Sequence, residues 1–170
     1  MVLVGLPGSG KSTVGRLAAK ELQAPFFDLD DEIERMAGQS IPEIFESRGE
    51  AGFRELERDV MRLALSAEPA VLAPGGGWAA QTGAIEQARE PAFIIYLAVP
   101  ADVVAERLAL ESRRSVVDRR PLTVDHPVAV LMKEREPFYR QADVVVSNAA
   151  DDPEPVARLV AELARRHAGW

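Results

Sequence analysis

A glycine-rich run, GLPGSGKST, opens at Gly5, directly behind the apolar residues Val2–Val4. Gly5, Gly10, Lys11 and Ser12 satisfy the spacing G-x-x-x-x-G-K-[ST]. With an apolar run before it and an amphipathic stretch after it, the chain has few options here: a buried strand must turn sharply into a helix. Val14, Leu17, Ala18 and Leu22 form one apolar stripe along that helix. The turn exposes successive backbone N–H groups, and the positive end of the helix points the same way, so the natural occupant is a polyanion. Gly8, Ser9, Gly10, Lys11, Ser12 and Thr13 are the candidate contacts to the phosphates of a nucleoside triphosphate. Lys11 is spaced to bridge the β- and γ-phosphates, and the Ser12 hydroxyl to bind Mg²⁺. Thr13 offers a second hydroxyl or simply completes the first helical turn.

Strand and helix patterns alternate through the rest of the chain. Val2–Gly5, Phe26–Leu29, Val71–Ala73, Phe93–Leu97 and Val144–Val146 read as buried parallel strands, apolar on both faces. Helices are expected from about Glu50 to Ser66, after Pro100 with Val103, Val104 and Leu108 inward, over Val128–Arg140, and over Pro155–Arg166. The alternation implies an α/β fold, a parallel sheet covered by helices on both faces, with functional loops at the carboxyl ends of the strands. At 170 residues and 47% hydrophobic content, the chain suits a single domain, 1–170. Two segments break the rhythm. Residues 31–62 hold more than one helix between consecutive strands, punctuated by Gly38, Pro42 and Gly49, and read as a substrate-side insertion. Residues 110–126 are charged and aperiodic, and read as a lid. The remainder, 1–30, 63–109 and 127–170, is core.

A net charge of -7 argues against a nucleic-acid partner, and the absence of cysteine excludes disulfides and thiolate metal sites. No run approaches the ~20 apolar residues of a membrane span. A cytoplasmic monomer acting on a small molecule is the expectation. Against that acidic background, Arg113, Arg114, Arg119 and Arg120 cluster around the single acid Asp118, a local reversal suited to closing over phosphate. The second strand ends FFDLDDEIE; Asp28 and Asp30 stand where the chain turns, so one can support a metal while the other meets substrate. The competing reading is that Asp30 or Asp31 caps a helix over Glu32–Met36. Gly75–Gly77 follow a buried strand and expose backbone to a close-lying ligand. Arg54, among Glu55, Glu57 and Arg58, would by itself be a solvated helix face.

Taken in order, GLPGSGKST, FFDLDDEIE, SIPEIFESRGEAGFRELE, GGG, RRPL and REPFYR resemble the shikimate kinase family, from Val2 to about Leu163. The P-loop is general. The combination of D-x-D, G-E-x-x-F-R-x-x-E, triple glycine and R-x-P-x-Y is specific. The resemblance implies a three-layer P-loop kinase fold, with a five-stranded parallel sheet in the order 2-3-1-4-5, a lid and a substrate-binding helical insertion. It implies ATP and Mg²⁺ as donor and metal, and shikimate as acceptor at its 3-hydroxyl. On this pattern Asp30 accepts the proton of the attacking hydroxyl, and Asp28 holds Mg²⁺ with Ser12. Arg54 and Arg135 bind the shikimate carboxylate; Gly75, Gly76 and Gly77 line the pocket. Arg120, favoured over Arg119 because it precedes Pro121-Leu122, reaches the phosphates beside Lys11, and Arg113 lies along the adenine opposite Pro153. The chain departs from the pattern at Ser147 and Asn148, where the family carries a D-T pair, and at Pro74 and Trp78, which flank the glycines and could reshape the acceptor pocket. The alternatives are a kinase of another hydroxy acid such as gluconate, or a non-catalytic ATP-binding regulatory module.

Overall fold

A computed structural model describes residues 1–114 and 127–170, the last four of the first span by backbone alone. Five strands form one parallel sheet in the order β2-β3-β1-β4-β5: β1 (Val2–Val4), β2 (Phe26–Asp28), β3 (Val71–Ala73), β4 (Ile94–Ala98) and β5 (Val144–Ser147). This is the order the family resemblance implies. Among the described residues the helices are α1 (Lys11–Leu22), α2 (Leu29–Ala37), α3 (Ile41–Ser66), α4 (Ala84–Arg89), α5 (Ala101–Arg114), α6 (Val128–Tyr139) and α7 (Glu154–His167), with a 3₁₀ turn at Trp78–Ala80.

The strand pleat sorts side chains into two cores. Leu3, Ile95 and Leu97 point to the face covered by α1 and α7, against Val14, Ala18, Val160 and Ala164. Val2, Val4, Ile94 and Tyr96 point to the other, against Leu29, Ile33, Ile44, Phe53, Ile85 and Leu131. Burial on both faces holds for β1, β3 and most of β4. It fails at the borders: β2 is half-buried throughout and Val145 of β5 is 47% exposed. An edge strand lacks a neighbour on one side, and no sequence run announces which strand that is.

The insertion at 31–62 is two helices, the second much longer than expected. It begins at Ile41 rather than Glu50, because Ser40, Pro42 and Glu43 build a helix start. Ser40 donates from both its N–H and its hydroxyl to Glu43 Oε2, at 2.7 Å each, which holds the Glu43 carboxyl below its ordinary 4.5. Gly49, at φ 66°, breaks the helix, and Phe45 stacks on Phe53 across the break with ring centroids 4.7 Å apart. No helix among the described residues is long and apolar enough to cross a membrane.

Candidate active site

The strand β1 ends and α1 begins within a few residues, so the loop between them lies over the carboxyl edge of the sheet. Gly10 caps α1 at φ 87°, a left-handed conformation. A β-carbon there would also lie 2.6 Å from Asn148 Nδ2. Asn148 is 3% exposed and donates from that nitrogen to Ser9 O at 2.7 Å, while its own N–H bonds Ala98 O. The residue following β5 therefore clips the loop to the sheet. Leu108 of α5 presses on Gly8 from above. Lys11 is nearly buried and donates from Nζ to Gly5 O and Leu6 O, at 3.0 and 2.9 Å, so its ammonium sits inside the loop it serves.

Ser12 donates to Asp28 Oδ2 at 2.5 Å. The other Asp28 oxygen accepts the Asp30 N–H at 3.2 Å, making Asp28 the N-cap of α2. This corrects the capping alternative: the helix starts at Leu29, not Glu32, because Asp28 itself supplies the cap. Asp30 and Asp31 lie in its first turn, where the helix dipole favours them. Asp31 faces outward toward Arg16 at 3.8 Å. Asp28 and Asp30 share the wall of one cleft of about 220 Å³ with Gly8, Gly10, Lys11, Ser12, Thr13, Gly75 and Gly76. Ser12 and Asp28 offer adjoining hard oxygens, the donor chemistry Mg²⁺ takes.

The triple glycine is crowded, and at two of its positions the close neighbour is protein. A β-carbon on Gly76 would meet Pro7 Cδ at 2.6 Å; one on Gly77 would meet Arg54 Nη2 at 2.7 Å. Gly76 therefore abuts the phosphate loop, and the next residue abuts Arg54. Arg54 is not the solvated side chain its neighbours suggest. Its Nη1 donates to Glu57 Oε2 at 2.6 Å, and Glu50 approaches Nε at 3.6 Å. Glu57 is fully buried, between Phe53 and Met61 on the inward stripe of α3. Glu57 closes the G-E-x-x-F-R-x-x-E run, but from sequence alone it reads as part of a solvated face with no role, although an acid on an apolar stripe is a signal in itself. On α6, Tyr139 donates its hydroxyl to Gly76 O and packs its ring 5.2 Å from Tyr96. Arg135 lies one turn before Tyr139 on the same face, half-buried. Trp78 does not line this cleft: it is buried in the core and borders a separate cleft with Met61, Ala84 and Ala88, whereas Pro74 does line it. Pro153 caps α7, and the loop before it is held by Arg107, whose Nη2 donates to Ala150 O at 2.8 Å. Arg120 and the side chain of Arg113 lie outside the described residues, as does the expected lid from residue 115 onward.

A P-loop shares one cleft with Asp28, Asp30, Gly75 and Gly76, while Gly77, expected to line it, lies outside that lining and against a braced arginine. The shikimate kinase family model matches residues 7–165. The chain belongs to the shikimate kinase family. It is 42% identical to the shikimate kinase of Nitrobacter winogradskyi over 151 residues, covering 87% of this chain and 68% of that one. It is 35% identical to that of Aquifex aeolicus over 161 residues, covering 95% and 94%. Among solved structures, shikimate kinase from Acinetobacter baumannii in complex with shikimate superposes with a TM-score of 0.86 at 35% identity, covering 97% of this chain and 92% of that one. Membership in this family makes the P-loop that of an ATP-dependent kinase, and the sheet order is the family's own.

Proposed function

We propose that this chain transfers the γ-phosphate of ATP to the 3-hydroxyl of shikimate, giving shikimate 3-phosphate and ADP. The observation that carries the reading is the pair Gly76 and Gly77. One touches the phosphate loop and the next touches Arg54, so a cation suited to a carboxylate stands one residue from the wall of the phosphate cleft. A ring acid anchored at Arg54, with Arg135 as a second contact from α6, would present its hydroxyls toward Asp30.

Phosphoryl transfer depends on positioning and on neutralising charge. The N–H groups of Gly8 to Thr13 hold the phosphates. Lys11, released from Gly5 O and Leu6 O, turns its ammonium to the β- and γ-oxygens. Ser12 and Asp28 would hold Mg²⁺, which when bound would neutralise charge on the phosphates. Asp30 orients the attacking hydroxyl and takes its proton as the new bond forms. Arg120 supplies a further positive charge from the lid, and Arg113 with Pro153 encloses the adenine. Fixing the carboxylate with Arg54 and Arg135 turns an encounter into an aligned attack.

A coupled assay of ADP release, with shikimate and gluconate as alternative acceptors, tests the reading. Shikimate-dependent turnover is expected, with gluconate near the background without acceptor. Turnover of gluconate alone would replace shikimate as the acceptor. ATP binding without turnover of either acid would favour a regulatory module.

A further inference from the structure

The loop after β3 sends an amide to the place where Arg54 is braced. Gln81 closes the short turn Trp78–Ala80, its N–H bonding back to Trp78 O at 3.0 Å. Its side chain crosses to α3 and donates from Nε2 to Glu57 Oε2 at 2.6 Å. The same oxygen takes the Arg54 bond. Arg58, one turn along α3, donates to Gln81 Oε1 at 3.4 Å, which sets the amide with its NH₂ toward Glu57. A continuous line thus runs from Arg58 through Gln81 and Glu57 to Arg54.

We propose that Gln81 is a positioning residue for the acceptor's carboxylate, acting through Glu57 on Arg54. The inference rests on the acceptor reading above. Arg54 and Glu57 share one helix and can swing together without separating. Gln81 stands on a different element, so its bond fixes where Glu57 Oε2 lies and with it the plane of the Arg54 guanidinium. A guanidinium grips a carboxylate through two parallel N–H bonds, and that grip is lost when the plane tilts. Gly77, packed under the guanidinium, prevents tilt on one side; Gln81 prevents it through the carboxylate.

The test uses the whole chain with Gln81→Met, which keeps the length and removes the donor, and Gln81→Glu as a second variant of the same shape. The shikimate KM should rise about tenfold, the loss of one hydrogen bond to a charged group. The kcat and the ATP KM should stay within about twofold of the parent's. In a Glu57→Gln background, Gln81→Met should add nothing further, because the route has already been cut. An unchanged shikimate KM in both variants overturns the inference, as does an equal rise in the ATP KM or a full additive loss beside Glu57→Gln. A parent chain with no turnover of shikimate overturns the acceptor reading, and this inference with it. An active parent with indifferent Gln81 variants overturns the inference alone.

Discussion

At the phosphate end of the cleft, shape is set by the backbone. The left-handed turn at Gly10, the carbonyls that hold Lys11 and the tethered loop follow from one short consecutive run, Gly5 to Ser12, and from two distant ties, Asp28 and Asn148. At the acid end, shape is set by side chains from separate elements: Arg54 and Glu57 on α3, Gln81 after β3, Tyr139 on α6. The difference teaches where specificity resides. A backbone cradle accepts any triphosphate tail, and only the side-chain end can choose the acid.

If that division holds, substitutions should separate into those that move ATP parameters and those that move acceptor parameters. The largest effect falls where the two ends meet. Asp30→Asn should cut kcat by about 10²–10⁴, the range of a lost general base, while calorimetry finds ATP binding unchanged. The sharpest cut is between adjacent glycines. Gly76→Ala drives a methyl into Pro7, whose ring and nitrogen belong to the loop backbone and cannot step aside. It should raise the ATP KM about tenfold or more and lower the melting temperature. Gly77→Ala meets only the far end of the Arg54 side chain, which can move. It should leave the melting temperature nearly intact and raise the shikimate KM about tenfold. If the two variants shift the same parameter, the two ends are not separate. Asn148→Ala removes the clip on Ser9 and should raise the ATP KM by about three- to tenfold with the shikimate KM unmoved. The smallest effect lies outside the cleft. Glu43→Ala should lower the melting temperature by about 1–2 °C at pH 7. Because the folded-state value of Glu43 is depressed below 4.5, its contribution is complete above that pH and fades as the carboxyl protonates. The gap between variant and parent should narrow in melts taken at successively lower pH below 4.5.

The phosphate end was legible because its information is local: the glycines, Lys11 and Ser12 are spaced by the turn they make. Strand order was legible through the family resemblance, and the nearness of Asp28 to Asp30 through the turn at the end of the second strand; Asp28 as the cap of α2 was not, since capping depends on where the strand releases the chain. The acid end resisted reading because its partners lie far apart in sequence. Arg54 and Gln81 meet only through Glu57, and a buried acid looks like its solvated neighbours until the helix is laid against the sheet. Trp78 misled for the same reason. Its position beside the glycines suggested the pocket, but the turn after Gly77 sends it into the core.

The sheet order gives one consequence for mechanics. The loop over central β1 is moored on both flanks, Ser12 to Asp28 at the end of one border strand and Ser9 to Asn148 just past the other. It hangs between them like a hammock, so slack in either outer ribbon is felt at its middle, where a triphosphate would rest.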